Sequence, residues 1–188
     1  MEKSLVIIVE GPQGAGKTTL TNRLREVMTS TNLIRMSGVK DKTITGKEKS
    51  ITVHKQQLNA MNMTHHCDMN YVLARSFLTE FLYANLGYKP YTYSEEELEK
   101  DFGTVLKQLN ACFNVVFVFL EPSDEILKER LNRDKAEYQK FSLENSINQK
   151  EFYREIQKMD MLRNSKIRVF TDETTDEIAN NLLAYQEL

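Results

Sequence analysis

A chain of 188 residues with 25 basic and 27 acidic side chains, formal charge −2, is the size of one domain with its own core. It carries no global field to recruit nucleic acid or a membrane surface. No run approaches the roughly 18 apolar residues of a membrane span, the N-terminus enters a strand without a basic leader, and Cys67 and Cys112 read as free buried thiols, so a soluble cytoplasmic protein is expected.

Leu5 to Val9 is a nearly unbroken apolar run that suits a strand buried on both faces of a parallel sheet. It stops at glycine. Gly11, Gly14 and Gly16 with Lys17 and Thr18 then satisfy the phosphate-loop pattern GxxxxGK[ST], and Thr19 to Arg25 continue as a helix. Each residue type has a reason. Glycines let successive backbone N–H groups turn toward an anion, the helix starting near Lys17 adds its N-terminal dipole, Lys17 reaches β and γ oxygens, and the Thr18 hydroxyl ligates Mg²⁺. The expected nucleotide site is therefore Gly11, Pro12, Gln13, Gly14, Ala15, Gly16, Lys17, Thr18 and Thr19.

Further along, Asn32 to Met36 is a short strand, and residues 37 to 50 form a polar, basic loop whose Lys40, Lys42, Lys47 and Lys49 make a solvated face. Ile51 to His66 is helix-like, and Asp68 to Ala74 is the next strand. Arg75 to Leu86 shows a helical apolar stripe ended by Gly87. Ser94 and Glu97 have capping-box spacing ahead of a helix through Leu109. Asn114 to Leu120 is the second strongly buried strand. Ser123 caps a helix that ends in LKERLNRDK, residues 127 to 135. Ala136 to Ser142 reads as a flap, Leu143 to Met161 as a helix, Lys166 to Phe170 as the last strand and Thr175 to Leu188 as the last helix. His65, His66, Cys67 and Asp68 lack metal-ligand spacing and read as a corner. Strands alternating with helices imply right-handed crossovers. The fold class is a single-domain, three-layer α/β/α P-loop NTPase fold with a parallel five-stranded sheet and a small helical lid near 130–145. Ligands of such sheets lie beyond the carboxyl ends of the strands.

Three stretches resemble the thymidylate kinase branch of the nucleoside and nucleotide kinases: EGPQGAGKTT, ARSFLTEFLY at 74 to 83, and LKERLNRDK. The resemblance implies that Arg75 contacts the acceptor's phosphate, with Thr79 and Tyr83 facing its base and sugar. It also implies that Arg130 and Arg133 belong to a lid closing on ATP, one on the transferring phosphoryl and one near adenine. The loop after the last strand, with Asp172, would border the adenine. Independently, a loose phosphoryl transition state needs cations around its equatorial oxygens, and two arginines three apart on a helix share a face.

The chain departs from that pattern at two positions, Gln13 and Ala74, and resembles it at Arg35, in RMSG after the second strand. Gln13 stands where relatives carry an acid that orients the sugar. Ala74 stands where they carry the aspartate that helps hold Mg²⁺, which leaves Asp68, Glu10 or Glu121 as substitutes, or Thr18 with water. Nucleoside kinases carry a glutamate after the second strand, whereas here Arg35 suits an acceptor that already bears phosphate. The expectation is transfer from ATP, with Mg²⁺, to a deoxynucleoside monophosphate, a dTMP-like pyrimidine first. The alternatives are a kinase of nucleosides, modified bases or nucleic-acid 5′ ends, and a non-catalytic nucleotide-binding protein. A GTPase is disfavoured because no DxxG follows the third strand. A homodimer through the Phe77 to Leu86 helix and a monomer are equally consistent.

Overall fold

The computed structural model describes residues 3–36, 43, 45–133 and 142–185. The expected flap up to residue 141 and half of the expected basic loop, 37–42 and 44, lie outside these residues, as does the end of the last expected helix. Five strands, β1 (Leu5–Glu10), β2 (Thr31–Arg35), β3 (Asn70–Ala74), β4 (Asn114–Leu120) and β5 (Lys166–Phe170), form one parallel sheet in the order β2-β3-β1-β4-β5. Among the described residues seven α-helices alternate with them: α1 (Lys17–Val27), α2 (Gly46–Met63), α3 (Phe77–Asn85), α4 (Glu95–Cys112), α5 (Asp124–Arg133), α6 (Leu143–Ile156) and α7 (Thr175–Leu183).

Every residue of β1 is buried because it sits mid-sheet with helices on both sides. Alternation along the strand divides its side chains between two cores. Val6 and Ile8 join α2, α3, α4 and α6 around Phe77, Phe102, Phe117 and Phe119. Leu5, Ile7 and Val9 join α1 and α7 around Leu20, Leu24, Ile178 and Leu182. The three-layer α/β/α arrangement expected from the sequence is what the chain adopts.

Several boundaries differ from the expectation, each for a physical reason. The helix expected from Ile51 begins at Gly46, because the buried face of α2 is Gly46, Ser50, His54, Leu58 and Met61. That series has helical spacing, but its first three members are not apolar, so hydrophobic periodicity starts too late. His54 pays for burial by bonding its Nδ1 to the Ser50 carbonyl at 2.8 Å, and burial pushes its pKa down. The helix expected to reach Met161 ends at Ile156, followed by a 3-10 turn at Asp160–Leu162. His65–Cys67 is a 3-10 turn leading into β3, and Cys67 is exposed there rather than buried. The apolar stripe of α3, considered above as a dimer face, is covered within the chain: Phe77, Leu78, Phe81 and Leu82 all lie in the core. Among the described residues no helix is long and apolar enough to cross a membrane.

Two local features set stability. The rings of Phe77 and Phe102 stack with centroids 4.4 Å apart, joining α3 to α4. Ser94 and Glu97 close the capping box expected for α4. Phe102→Ala should cost about 3–5 kcal/mol in urea unfolding, and Ser94→Ala about 1 kcal/mol, with the urea m-value unchanged in both.

Candidate active site

The carboxyl ends of β1, β3 and β4 meet at the glycine-rich loop between β1 and α1. Gly11 has φ +143°, and a Cβ there would lie 2.6 Å from the Leu120 carbonyl oxygen, so the close approach of β4 excludes any side chain. Gly14 and Gly16 have φ +82° and +93°, the left-handed region that glycine occupies at least cost. Gly16 is the N-cap of α1. No side chain caps that helix end and its first turn holds no acid, so the N-terminal N–H groups and the positive end of the dipole face the loop without a competitor.

Lys17 is 8% exposed, and its ammonium donates to the carbonyl oxygens of Gly11 at 2.6 Å and Pro12 at 2.7 Å. Burial, then the Arg75 charge, lower its pKa from 10.5 to about 7, while Glu10 acts in the other direction. Arg75 follows β3 in the left-handed region at φ +73°, its N–H bonded to the Val9 carbonyl at 3.0 Å. A non-glycine residue there costs on the order of 1–2 kcal/mol and persists where the surroundings impose it. Lys17 is buried and Arg75 half-buried, and the Arg75 charge disfavours the Lys17 ammonium, so a nearby anion would favour both cations.

Arg130, on α5, donates from Nη1 to the Ala15 carbonyl at 2.9 Å and, weakly, to that of Gly14 at 3.5 Å. The backbone of Arg133 closes α5, and its side chain lies outside the described residues. Thr18 and Thr19 are exposed at the head of α1. Asp172 accepts the Ser123 N–H at 3.1 Å, tying the loop after β5 to the one after β4. Pro12 and Gln13 complete the loop, and the Gln13 N–H donates to Oε1 of Gln149, on α6, at 3.0 Å.

The four residues expected at the acceptor separate. Arg75 and Tyr83 share a neighbourhood, since the Arg75 charge opposes the burial that raises the Tyr83 pKa; the Tyr83 ring meets Tyr88 edge to face. Thr79 is turned inward, and its hydroxyl donates to Oε2 of Glu10 at 2.7 Å. Arg35 is exposed at the end of β2, where Nη2 donates to Oδ1 of Asn22 on α1 at 2.7 Å.

Of the carboxylates considered for a metal, Asp68 precedes β3, at the sheet edge opposite the loop and roughly 16 Å from it at the usual strand rise. Glu121 is taken up by Arg154 Nε at 2.8 Å and Gln157 Nε2 at 2.5 Å, both on or just beyond α6. Glu10 is fully buried and accepts from the hydroxyls of Ser76 at 2.6 Å, Thr79, and Tyr153 at 2.9 Å. It also points to the wrong side to replace an acid at 74. Val72 packs with the α1 core and Leu73 with the opposite one, so alternation puts Ala74 on the α1 side, whereas Glu10 follows Ile8 to the other.

The donor set fits a phosphate chain: uncapped amides, a lysine in the loop, and a second cation beside it. Among the described residues no group of three or more His, Cys, Asp or Glu side chains could hold a metal ion. Mg²⁺ would therefore rest on the Thr18 hydroxyl and on phosphate oxygens, with water completing its shell. Sequence reasoning missed Ser76, Gln149 and Tyr153. Glu10 carried a signal, as the one charged residue of an otherwise apolar strand; the others had none.

No protein-family model matches the sequence, and no curated protein matches it. Solved structures do, and they are P-loop kinases; the chain has their fold. They include the YorR protein of Bacillus subtilis, solved with phosphorylated GDP, at TM-score 0.68 and 21% identity over 97% of this chain and 96% of that one. The deoxyadenosine kinase of M. mycoides, solved with dCMP and dCDP, aligns at 0.65 and 13% over 97% and 98%. The thymidylate kinase of Candida albicans aligns at 0.59 and 14% over 98% and 92%.

The Lys17 environment has a measurable consequence for the ligand-free protein. The unfolded chain keeps this proton until about pH 10.5 and the folded one releases it near 7, so between these values the unfolded state binds more protons and stability rises with pH. Lys17→Met should remove that rise and stabilise the ligand-free protein at neutral pH, as read from urea midpoints between pH 7 and 9.5.

Proposed function

We propose that this protein transfers the γ-phosphoryl group of ATP to a deoxynucleoside monophosphate, with a dTMP-like pyrimidine nucleotide as the first acceptor to test. The observation that carries the reading is a buried Lys17 in a loop of left-handed glycines beside an uncapped helix N-terminus. ATP supplies the phosphoryl group, and Mg²⁺ neutralises charge on its phosphates. The loop amides and Lys17 hold and orient the donor's β and γ phosphates. Arg75 grips the acceptor's phosphate, and Tyr83, near it on α3, lines the acceptor side. Arg130 and Arg133, on the helix packed over the loop, add positive charge once they close on the bound pair. The chain's contribution is positioning and charge stabilisation, with no covalent intermediate. The acceptor is a small molecule, and nothing in the net charge calls for nucleic acid.

A second reading places a nucleoside in the acceptor position. Its support is Arg35, which makes its hydrogen bond with α1, leaving Arg75 as the single acceptor-side cation of the pair. A neighbour solved as a deoxyadenosine kinase points the same way.

Labelled ATP offered with Mg²⁺ to a panel of deoxynucleosides and their monophosphates separates the two. The expected product is a deoxynucleoside diphosphate. Monophosphates formed from nucleosides alone would establish the second reading, and no product from any acceptor would leave a nucleotide-binding protein. Lys17→Ala should lower turnover by about 10²–10³, the range for removing one preorganised transition-state donor. Arg75→Ala should raise the acceptor KM as well as lower kcat. Ala74→Asp, placing a carboxylate on the α1 side, should lower the Mg²⁺ concentration needed for half-maximal rate.

A further inference from the structure

Glu10 is hard to explain as a packing residue. It ends the central strand, is 0% exposed, and its neighbours on the same side of β1 are Val6 and Ile8. An apolar side chain would fill such a place without the penalty of burying a carboxyl group. The chain instead surrounds the acid with three hydroxyls: Ser76 on Oε1, and Thr79 and Tyr153 together on Oε2. The Thr79 and Tyr153 oxygens are also 3.1 Å from each other, which closes the group. Ser76 and Thr79 come from the start of α3, just after Arg75. Tyr153 comes from α6, far away in sequence, and is itself 2% exposed. A local rule broken and then compensated by side chains from two other elements is what a functional position looks like.

Glu10 directly precedes Gly11, whose carbonyl oxygen accepts from the Lys17 ammonium at 2.6 Å. Burial raises the Glu10 pKa, with the three hydroxyls and then the Lys17 charge acting in the other direction. We propose that Glu10 and Tyr153 are a positioning pair: the Tyr153 hydroxyl, carried on α6, fixes the Glu10 carboxyl group and with it the end of β1, so that the adjoining Gly11 carbonyl holds the Lys17 ammonium in place for the phosphates of the donor. Neither residue touches substrate; both act through Lys17. The same helix grips the loop a second time through Gln149 and the Gln13 amide, so the position of α6 is transmitted to the loop at two points one turn apart.

The proposal rests on the kinase reading and is tested so that the two can fail separately. Wild type is first offered the acceptor panel with ATP; no product there refutes the kinase reading and leaves the pair to be judged by binding alone. The dissociation constant of ATP, measured by calorimetry, is then compared for wild type, Glu10→Gln, Tyr153→Phe and the double variant. Glu10→Gln should weaken binding by about tenfold and Tyr153→Phe by about threefold, as for lost hydrogen bonds to a charged group. The double variant should be no weaker than Glu10→Gln, because the hydroxyl acts only through the acid. Where transfer is observed, kcat should follow the same non-additive pattern while the acceptor KM stays constant. Tyr71→Phe, which removes a hydroxyl bonded to Thr64 outside this group, should leave both constants unchanged. Additive losses, or Tyr153→Phe binding ATP as wild type does, overturn the proposal. If Glu10→Gln does not fold, the comparison of Tyr153→Phe with Tyr71→Phe decides it, since both keep the ring and lose one hydroxyl.

Discussion

A buried ammonium group with a guanidinium beside it is the constraint on which the rest of this architecture depends. Taking a lysine out of water is costly, and placing Arg75 near it adds to the cost; the fall of the Lys17 pKa toward neutrality is the direct sign of both. Such an arrangement survives only if the surrounding fold is rigid enough to impose it. The parallel sheet provides that rigidity. The register of Val9 against Ala74 brings Arg75 alongside the loop entrance, and the crowding of Gly11 against Leu120 fixes the loop's other side. The fold is thereby less stable without a ligand than its apolar core would allow, and the site is more ready to take an anion.

Helix α6 has a role that its place in the sequence does not advertise. Gln149, Lys150, Tyr153 and Arg154 project along one side of it, with Gln157 just beyond. They reach in turn the Gln13 amide, the Asp124 carboxylate and Pro122 carbonyl, Glu10, and Glu121. One helix therefore holds the phosphate loop, the end of β1, the end of β4 and the start of α5. Because α5 carries Arg130 over the loop and α6 follows it in the chain, the pieces that surround the loop are cross-linked by side chains as well as by the sheet. Cations on the outside and a carboxyl group on the inside then belong to one connected body.

The parts of this arrangement that were legible in the sequence are those where chemistry and period coincide. Leu5 to Val9 and Asn114 to Leu120 are apolar throughout because both faces of their strands are covered, and the glycines of the loop are spaced by what a backbone needs to turn around a phosphate. Ser94 with Glu97 announced α4. The capping box of Thr174 and Glu177 was equally visible in principle, since it has the same spacing. The start of α2 was not legible, because Gly46, Ser50 and His54 occupy its buried face and hydrophobicity does not report them. Nor could the partners of Glu10 be found, since Thr79 and Tyr153 are 74 residues apart and meet only once the sheet has brought α3 and α6 together. The outward turn of Arg35 has the same origin: strand order makes β2 an edge, and its terminal side chain finds α1 before it finds the loop.

On the proposed function, the hydrogen bonds that Lys17 and Arg130 make would let the loop tolerate the state without a ligand. When the N–H groups of a glycine-rich turn point inward, its carbonyls must point elsewhere, and unpaired buried carbonyls are costly. Here the cations of the site satisfy them: Lys17 takes those of Gly11 and Pro12, and Arg130 those of Ala15 and Gly14. Ligand binding is then an exchange in which a cation moves its hydrogen bonds from neutral carbonyl oxygens to charged phosphate oxygens. The count of bonds is largely kept while each becomes charge-assisted and stronger. Such an exchange favours a ligand with several anionic oxygens over one with a single charge, since only the former can draw Lys17 and Arg130 away together. A polyphosphate chain would meet that requirement and a lone carboxylate would not, so on the proposed function the way the loop satisfies its own carbonyl oxygens would also set its preference for ligand.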